Sequence, residues 1–264
     1  MLAQLVIEPV KALLVAAMVF IPFERLAAAN RAQRVFRDGW ATDAATGLAN
    51  GLLLYLVLLG SLAGIDAAAA SVLPHLRAWV AARPLAVQTF AAIVVGDLGV
   101  YGAHRLQHTV PWLWRFHAIH HSAREMDWLI ALRFHAVDLL MSRLASLGLL
   151  VALNVAPSAI ASFVLVFAWQ SWLAHANVRV TYGPLRWVIV SPEFHHWHHS
   201  ADRDAYNRNY ANMIAFWDVA FGTAYLPIER TPDRFGIDER VPGGFAGRFF
   251  FPFRRRLDQT SVGK

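Results

Sequence analysis

Residues 85–121 read LAVQTFAAIVVGDLGVYGAHRLQHTVPWLWRFHAIHH, and the fold class turns on this stretch. From Leu85 to about Gly102 it has the length and apolar character of a membrane helix. It then runs directly into His104 and His108 and, past Pro111, into His117, His120 and His121. Further along, His195-His196-Trp197-His198-His199 repeats the last pattern. Of the 12 histidines in the chain, two, three and four fall in these clusters. Imidazole is the commonest neutral metal ligand and a poor core residue, so the clusters predict a metal centre holding more than one ion.

Composition sets the surroundings of that centre. The 264 residues are 57% hydrophobic and only 16% charged, against about 25% charged in a soluble domain. Much apolar surface is therefore expected to face lipid. With no cysteine, the chain itself offers no disulfide, thiolate zinc site or iron–sulfur cluster, and electrons would have to come from a partner. The net charge of +6 sits beside apolar segments, which favours attraction to anionic lipid headgroups over nucleic acid. The first apolar run has no clear small-residue cleavage site, so a signal peptide is not expected.

The pattern predicts an all-α integral membrane protein of one domain, residues 1–264, with about four membrane segments at 9–29, 44–65, 85–103 and 136–174. The last is read as a hairpin interrupted at Pro157. Residues 104–135 and 175–264 are expected to form a helical cap and tail, and 73–82 an interfacial segment. Arg25, Arg31, Arg34 and Arg37 place the first loop in the cytoplasm by the positive-inside rule, and Arg254-Arg255-Arg256 agrees. Counting spans then puts every histidine cluster on the cytoplasmic face. His75 falls in the opposite connection and is read as a bystander.

His104 and His108 are i and i+4 and share a helix face. In each His-x-x-His-His pattern the two adjacent histidines diverge by about 100°, so one of each pair can turn toward each of two ions. Two such patterns with His104 and His108 give eight imidazoles. Asp97, inside the apolar run, either receives the second ring N–H of a ligand histidine or pairs with an arginine or a water. Trp112, Trp114, Trp128, Trp169 and Trp172 stand near the clusters. The first two, after a proline at the membrane edge, suit an interfacial belt, whereas Trp169 and Trp172 suit a substrate slot.

The set His104-x-x-x-His108, His117-x-x-His120-His121 and His195-x-x-His198-His199 resembles the fatty acid hydroxylase/sterol desaturase superfamily of integral-membrane di-metal oxygenases. Asp97-Leu-Gly-Val-Tyr101, Pro192-Glu-Phe, Asn209-Tyr210, Trp217-Asp218 and Phe221-Gly-Thr223 match too, over about Ala91 to Tyr225. The resemblance implies two iron ions, with zinc as a substitute in purified protein, and O₂ as co-substrate. It also implies an electron donor, ferredoxin or a cytochrome b5-like protein with its reductase, and hydroxylation or desaturation of a sterol, fatty acyl or ether lipid. It points to His175, in His175-Ala-Asn177, as a ninth ligand, while Arg179 stands where some members carry a further histidine. His135, in Arg133-Phe-His-Ala136-Val-Asp138, could be a ligand, a buttress to one, or a cap; the buttress is favoured. Asn177 is a candidate buttress, and His196 is expected to face away from the ions or to substitute for His195. A zinc hydrolase and a metal transporter are the competing classes. The first lacks a His-Glu-x-x-His helix, Glu193 lying before its cluster, and the second expects ligands near mid-bilayer.

Overall fold

The computed structural model describes residues 2–254, with side chains from residue 7 onward; Arg255 and Arg256 lie outside the described residues. Five long helices share one end. They are α1 (Leu2–Leu26), α2 (Trp40–Val72), α4 (Leu85–Thr109), α6 (Ala136–Ala152) and α7 (Pro157–His175). Helices α1, α4 and α7 finish at the layer that holds the histidines, and α2 and α6 start there. The short α3 (Pro74–Ala81) joins α2 to α4 at the far end. There Arg77 donates to the Val151 and Ala152 carbonyls at the α6–α7 turn and pairs with Asp66. Among the described residues there are no strands, only two isolated bridges, Ala28 with Val178 and Ser200 with Phe235.

Three of these helices, α2, α4 and α7, are long and apolar enough to cross a membrane. On α2, Leu52, Leu53, Leu56, Val57 and Leu59 remain exposed, an apolar stripe with no protein partner among the described residues. Against the expected count of about four spans, three helices qualify on length and composition among the described residues. The hairpin is present, but α6 has 17 residues, about 26 Å at the helical rise, and is the shorter arm. Helix α2 also runs well past the expected 44–65. Nor does the cap begin at residue 104, because His104 and His108 are the last turns of α4 itself. From Ala103 to Val110 there is no Gly or Pro, so the helix carries its ligand face on beyond the apolar run.

Helix α4 is the central element, and small residues let its neighbours approach. A Cβ at Gly99 would stand 2.9 Å from the Ala145 carbonyl carbon and 3.1 Å from Ser146 Cα. At Gly96 it would stand 2.7 Å from the Phe163 ring. Gly99 therefore seats α6, and Gly96 seats α7, against α4.

At the histidine end, a buried ion cluster ties distant segments together. Arg37 bridges Asp43 on α2 (2.6 Å) and Asp127 (2.8 Å). Asp43 also takes Arg248 from the short helix Phe245–Phe250, with Arg133 3.6 Å away. Arg37 is only 2% exposed. It is a structural counter-ion and not a cation for lipid headgroups, so the basic first loop has one charge fewer than its sequence suggests.

Candidate metal centre

Nine histidines converge where the long helices meet the cap. Helix α4 brings His104 and His108, α5 (Pro111–His121) brings His117, His120 and His121, and α7 ends on His175. Helix α8 (Pro192–His198) and its C-cap residue bring His195, His198 and His199. Helix α8 is short but firmly started: Pro192 occupies its first turn, and Ser191 accepts a hydrogen bond from the Phe194 amide.

The rings fall into two groups. One contains His104, His108, His117, His121 and His198; the other contains His120, His175, His195 and His199. Within each group the candidate ligand atoms all lie within 4.8 Å of one another. The two adjacent pairs divide as the helical offset requires, with His120 and His121 in different groups and likewise His198 and His199. The groups abut, the His121 and His199 rings stacking at 4.4 Å. Arg179 is exposed, so the four-histidine group gains no further ligand at that position.

The chemistry of the donor set fits metal. His104 Nε2 is 3.0 Å from His117 Nε2, His121 Nε2 is 3.2 Å from His117 Nε2, and His175 Nε2 is 3.1 and 2.9 Å from His120 and His195 Nε2. Two nitrogens at right angles on an ion at about 2.1 Å would stand about 3.0 Å apart. Buried ring nitrogens are also left without a partner: His108 Nε2, His198 Nε2, His120 Nδ1, His195 Nδ1 and both nitrogens of His199. Such orphaned donors and acceptors are costly unless something else binds them. Burial pushes His120, His121, His195 and His199 well below the ordinary imidazole range, with neighbouring rings adding to the effect. Burial likewise brings His198 down to about 3. These five rings are thus neutral at physiological pH, the state that binds metal.

Outer partners set the tautomers. His104 Nδ1 donates to the Tyr210 carbonyl (2.6 Å), His175 Nδ1 to Ser171 (2.7 Å) and His198 Nδ1 to Arg208 (2.8 Å). His117 Nδ1 lies 3.1 Å from Asp138 Oδ2. Each of these interactions turns Nε2 inward. Asp138 is thus the carboxylate beside a ring. Asp97, for which a ring N–H, an arginine or a water is the expected partner, accepts from the Met213 and Ile214 amides and from Trp217 Nε1. With Asp218, which accepts from the Tyr210 and Ala211 amides and from Thr223 Oγ1, it pins the loop whose carbonyls orient His104 and His198. Asn209, at φ 58°, locks the same loop to Phe194 and Tyr225.

Three other positions singled out in the sequence lie away from the rings. His135 is the N-cap of α6, accepting from the Val137 amide, and its Nε2 meets the Phe249 carbonyl. Asn177 pairs with Asn30 through both its side-chain atoms. His196 donates to the Ala176 carbonyl and belongs to neither group.

Two cavities border the histidines. The first, about 150 Å³, runs between α4, α6 and α7 and touches His104, His117, His120, His175 and His195. Trp172 lines it; Trp169 does not, packing on Phe20 and Trp172 behind. The second, about 400 Å³, lies on the cap side against His108, His121 and His198. Trp114 lines this one, its ring 5.1 Å from His108, which puts it beside the histidines.

Fold and site together define a membrane-type helical bundle with two groups of buried histidines at one end. The fatty acid hydroxylase family matches residues 89–223, a span that takes in all nine histidines and the loop that orients them, and the chain belongs to that family. An ornithine lipid hydroxylase from Rhizobium tropici is 34% identical over 192 residues, 72% of this chain and 57% of that protein. The human alkylglycerol monooxygenase is 33% identical over 137 residues, 51% of this chain and 30% of that one. A cholesterol 25-hydroxylase from Rattus norvegicus is 29% identical over 137 residues, 50% of this chain and 44% of that one. The chain thus spans 57% or less of the length of these relatives. No solved structure matches it.

Proposed function

We propose that the protein is a multi-pass membrane oxidoreductase that uses two iron ions and O₂ to hydroxylate a C–H bond of a membrane lipid. The reading treats the chain as one domain, with α1 and the α6–α7 hairpin lying in the bilayer beside α2 and α4 and the histidines on the cytoplasmic side. The observation that carries it is a cavity between apolar helices that ends on histidines of both groups. The relatives named above are hydroxylases and monooxygenases of lipids, which supports the same chemistry.

His104, His108, His117, His121 and His198 would hold one ion, and His120, His175, His195 and His199 the other. When bound, the metal pair supplies O₂ activation: one oxygen atom enters the C–H bond and the other leaves as water, with two electrons and two protons from outside. The protein's share is positional. Asp138 and the carbonyls of Tyr210, Ser171 and Arg208 hold the rings in one tautomer. Phe134 stacks on His120 at 4.1 Å and helps to close the inner cavity. Val100, Leu139, Phe167 and Trp172 give that cavity an apolar wall for an alkyl segment and keep water from the reacting carbon. The electron donor, of the ferredoxin or cytochrome b5 class, would approach from the cap, where the second cavity reaches His108 and His121. The test is turnover of membrane lipid by iron-loaded and zinc-loaded protein, with reductant, under air and under argon. A hydroxylated lipid from the iron form in air alone is expected. Hydrolysis by the zinc form without oxygen would overturn the reading.

A further inference from the structure

Arg143 stands on the cavity face of α6, in a stripe with Leu139, Ser142 and Ser146, and borders the same space as the inner histidines. Elsewhere the inward-facing arginines meet carboxylates: Arg37 has Asp43 and Asp127, Arg77 has Asp66, and Arg248 has Asp43. Among the described residues the Arg143 guanidinium has no ion-pair or hydrogen-bond partner. Its nearest specific contact is the Phe167 ring, 5.2 Å from guanidinium carbon to centroid. A cation facing the interior of an apolar bundle is expensive, and where one persists it marks a ligand or a pathway.

Two helices fix its depth independently. Arg143 is seven residues into α6 from the histidine end, about 10 Å along the axis. Phe167, beneath it, is eight residues before His175 on α7, about 12 Å. The Phe167 ring holds the cation without accepting a conventional hydrogen bond, so the guanidinium N–H groups stay unpaired beside the cavity, a donor set that can take a carboxylate or phosphate with two parallel hydrogen bonds. The Ser142 hydroxyl accepts from Gln107 Nε2, which leaves its own proton for the same anion.

We propose that Arg143 receives the anionic group, carboxylate or phosphate, of the lipid that is oxidised, and thereby sets which carbon lies over the histidines. This rests on the lipid-oxidation reading above. It makes an acidic lipid, and not a neutral sterol or ether, the preferred substrate class.

The test compares iron-loaded wild type, Arg143→Met and Arg143→Lys by native mass spectrometry. The probes are palmitic acid and its methyl ester, and phosphatidic acid and diacylglycerol of the same chains. The wild type should bind one acid at least tenfold more tightly than its neutral partner. Arg143→Met should lose that preference while still holding the neutral lipid, which shows that it is folded, and Arg143→Lys should keep part of it. The favoured acid tells carboxylate from phosphate. Equal binding of acid and neutral lipid by the wild type, or an undiminished preference in Arg143→Met, overturns the proposal. Product is measured in parallel. An acid preference without oxidation of any lipid leaves Arg143 as the anion site and removes the oxidation reading. Oxidation of neutral and acidic lipids at equal rates, in both wild type and Arg143→Met, does the reverse.

Discussion

Replacing Asp138 by alanine removes the only carboxylate that touches a ring of the two histidine groups among the described residues. His117 Nδ1 lies 3.1 and 3.3 Å from its two oxygens, and both side chains are almost fully buried. The variant leaves a buried Nδ1–H without an acceptor and frees the ring to rotate or change tautomer, so Nε2 is no longer held toward the five-histidine group. Loss of such an outer partner lowers metal affinity by about 10- to 100-fold, or about 1.4–2.7 kcal/mol. Asp138→Asn keeps an acceptor oxygen and should lose much less. The Asp138 backbone carbonyl still accepts from Gln107 in either variant, so α4 and α6 stay joined. Competition with a chelator, followed as two separate binding steps, measures the effect. The weakening should fall on one ion of the two. Unchanged affinity in Asp138→Ala, or a loss confined to the other ion, would refute the assigned role.

Three further outcomes are expected. His121→Ala and His120→Ala should each release a different ion and retain the other, and a single shared loss pattern in metal analysis would contradict the division between groups. Gly99→Val should abolish stable insertion, because its Cβ meets the α6 backbone and not a flexible side chain; overpacking costs about 1–3 kcal/mol even where neighbours can yield, and detergent-resistant folding at wild-type yield would count against it. The metal-free protein should lose thermal stability as pH falls below about 6.5. Between their folded values and the free imidazole range, His198 and His196 take up protons only when unfolded: in the fold burial holds His198 down to about 3 and His196 to about 4. Between those limits the unfolded state binds more protons, so stability falls with pH, and a flat melting midpoint from pH 7 to 5 would contradict this.

Much of the site was legible in the residues themselves. Adjacent histidines on a helix must diverge, so His120 and His121 could be assigned to different groups before any coordinates. The long apolar runs likewise announced α2, α4 and α7. What escaped was tertiary. Periodicity showed that Asp97 faces inward on α4 but not what it faces. Seven residues separate it from His104, about 10 Å of helix, and at that depth its neighbours are the amides of Met213 and Ile214. Asp138 sits at the start of another helix, and only the packing of α6 on α4 and α5 brings it to His117. Arg37 read as a loop cation because nothing local to it shows Asp127, 90 residues away, as its partner. His135 illustrates a different ambiguity. A histidine just before a helix is a competent cap, and its sequence neighbours cannot tell that role from a ligand's.

The account stands or falls on the occupancy of the two histidine groups. Iron content per chain of protein expressed with iron, measured together with X-ray absorption of the bound metal, tests it most directly. Two ions per chain, bound by nitrogen and oxygen alone and both lost when His120 and His121 are replaced together, is the expected result. One ion per chain, or two that survive the double replacement, would contradict it.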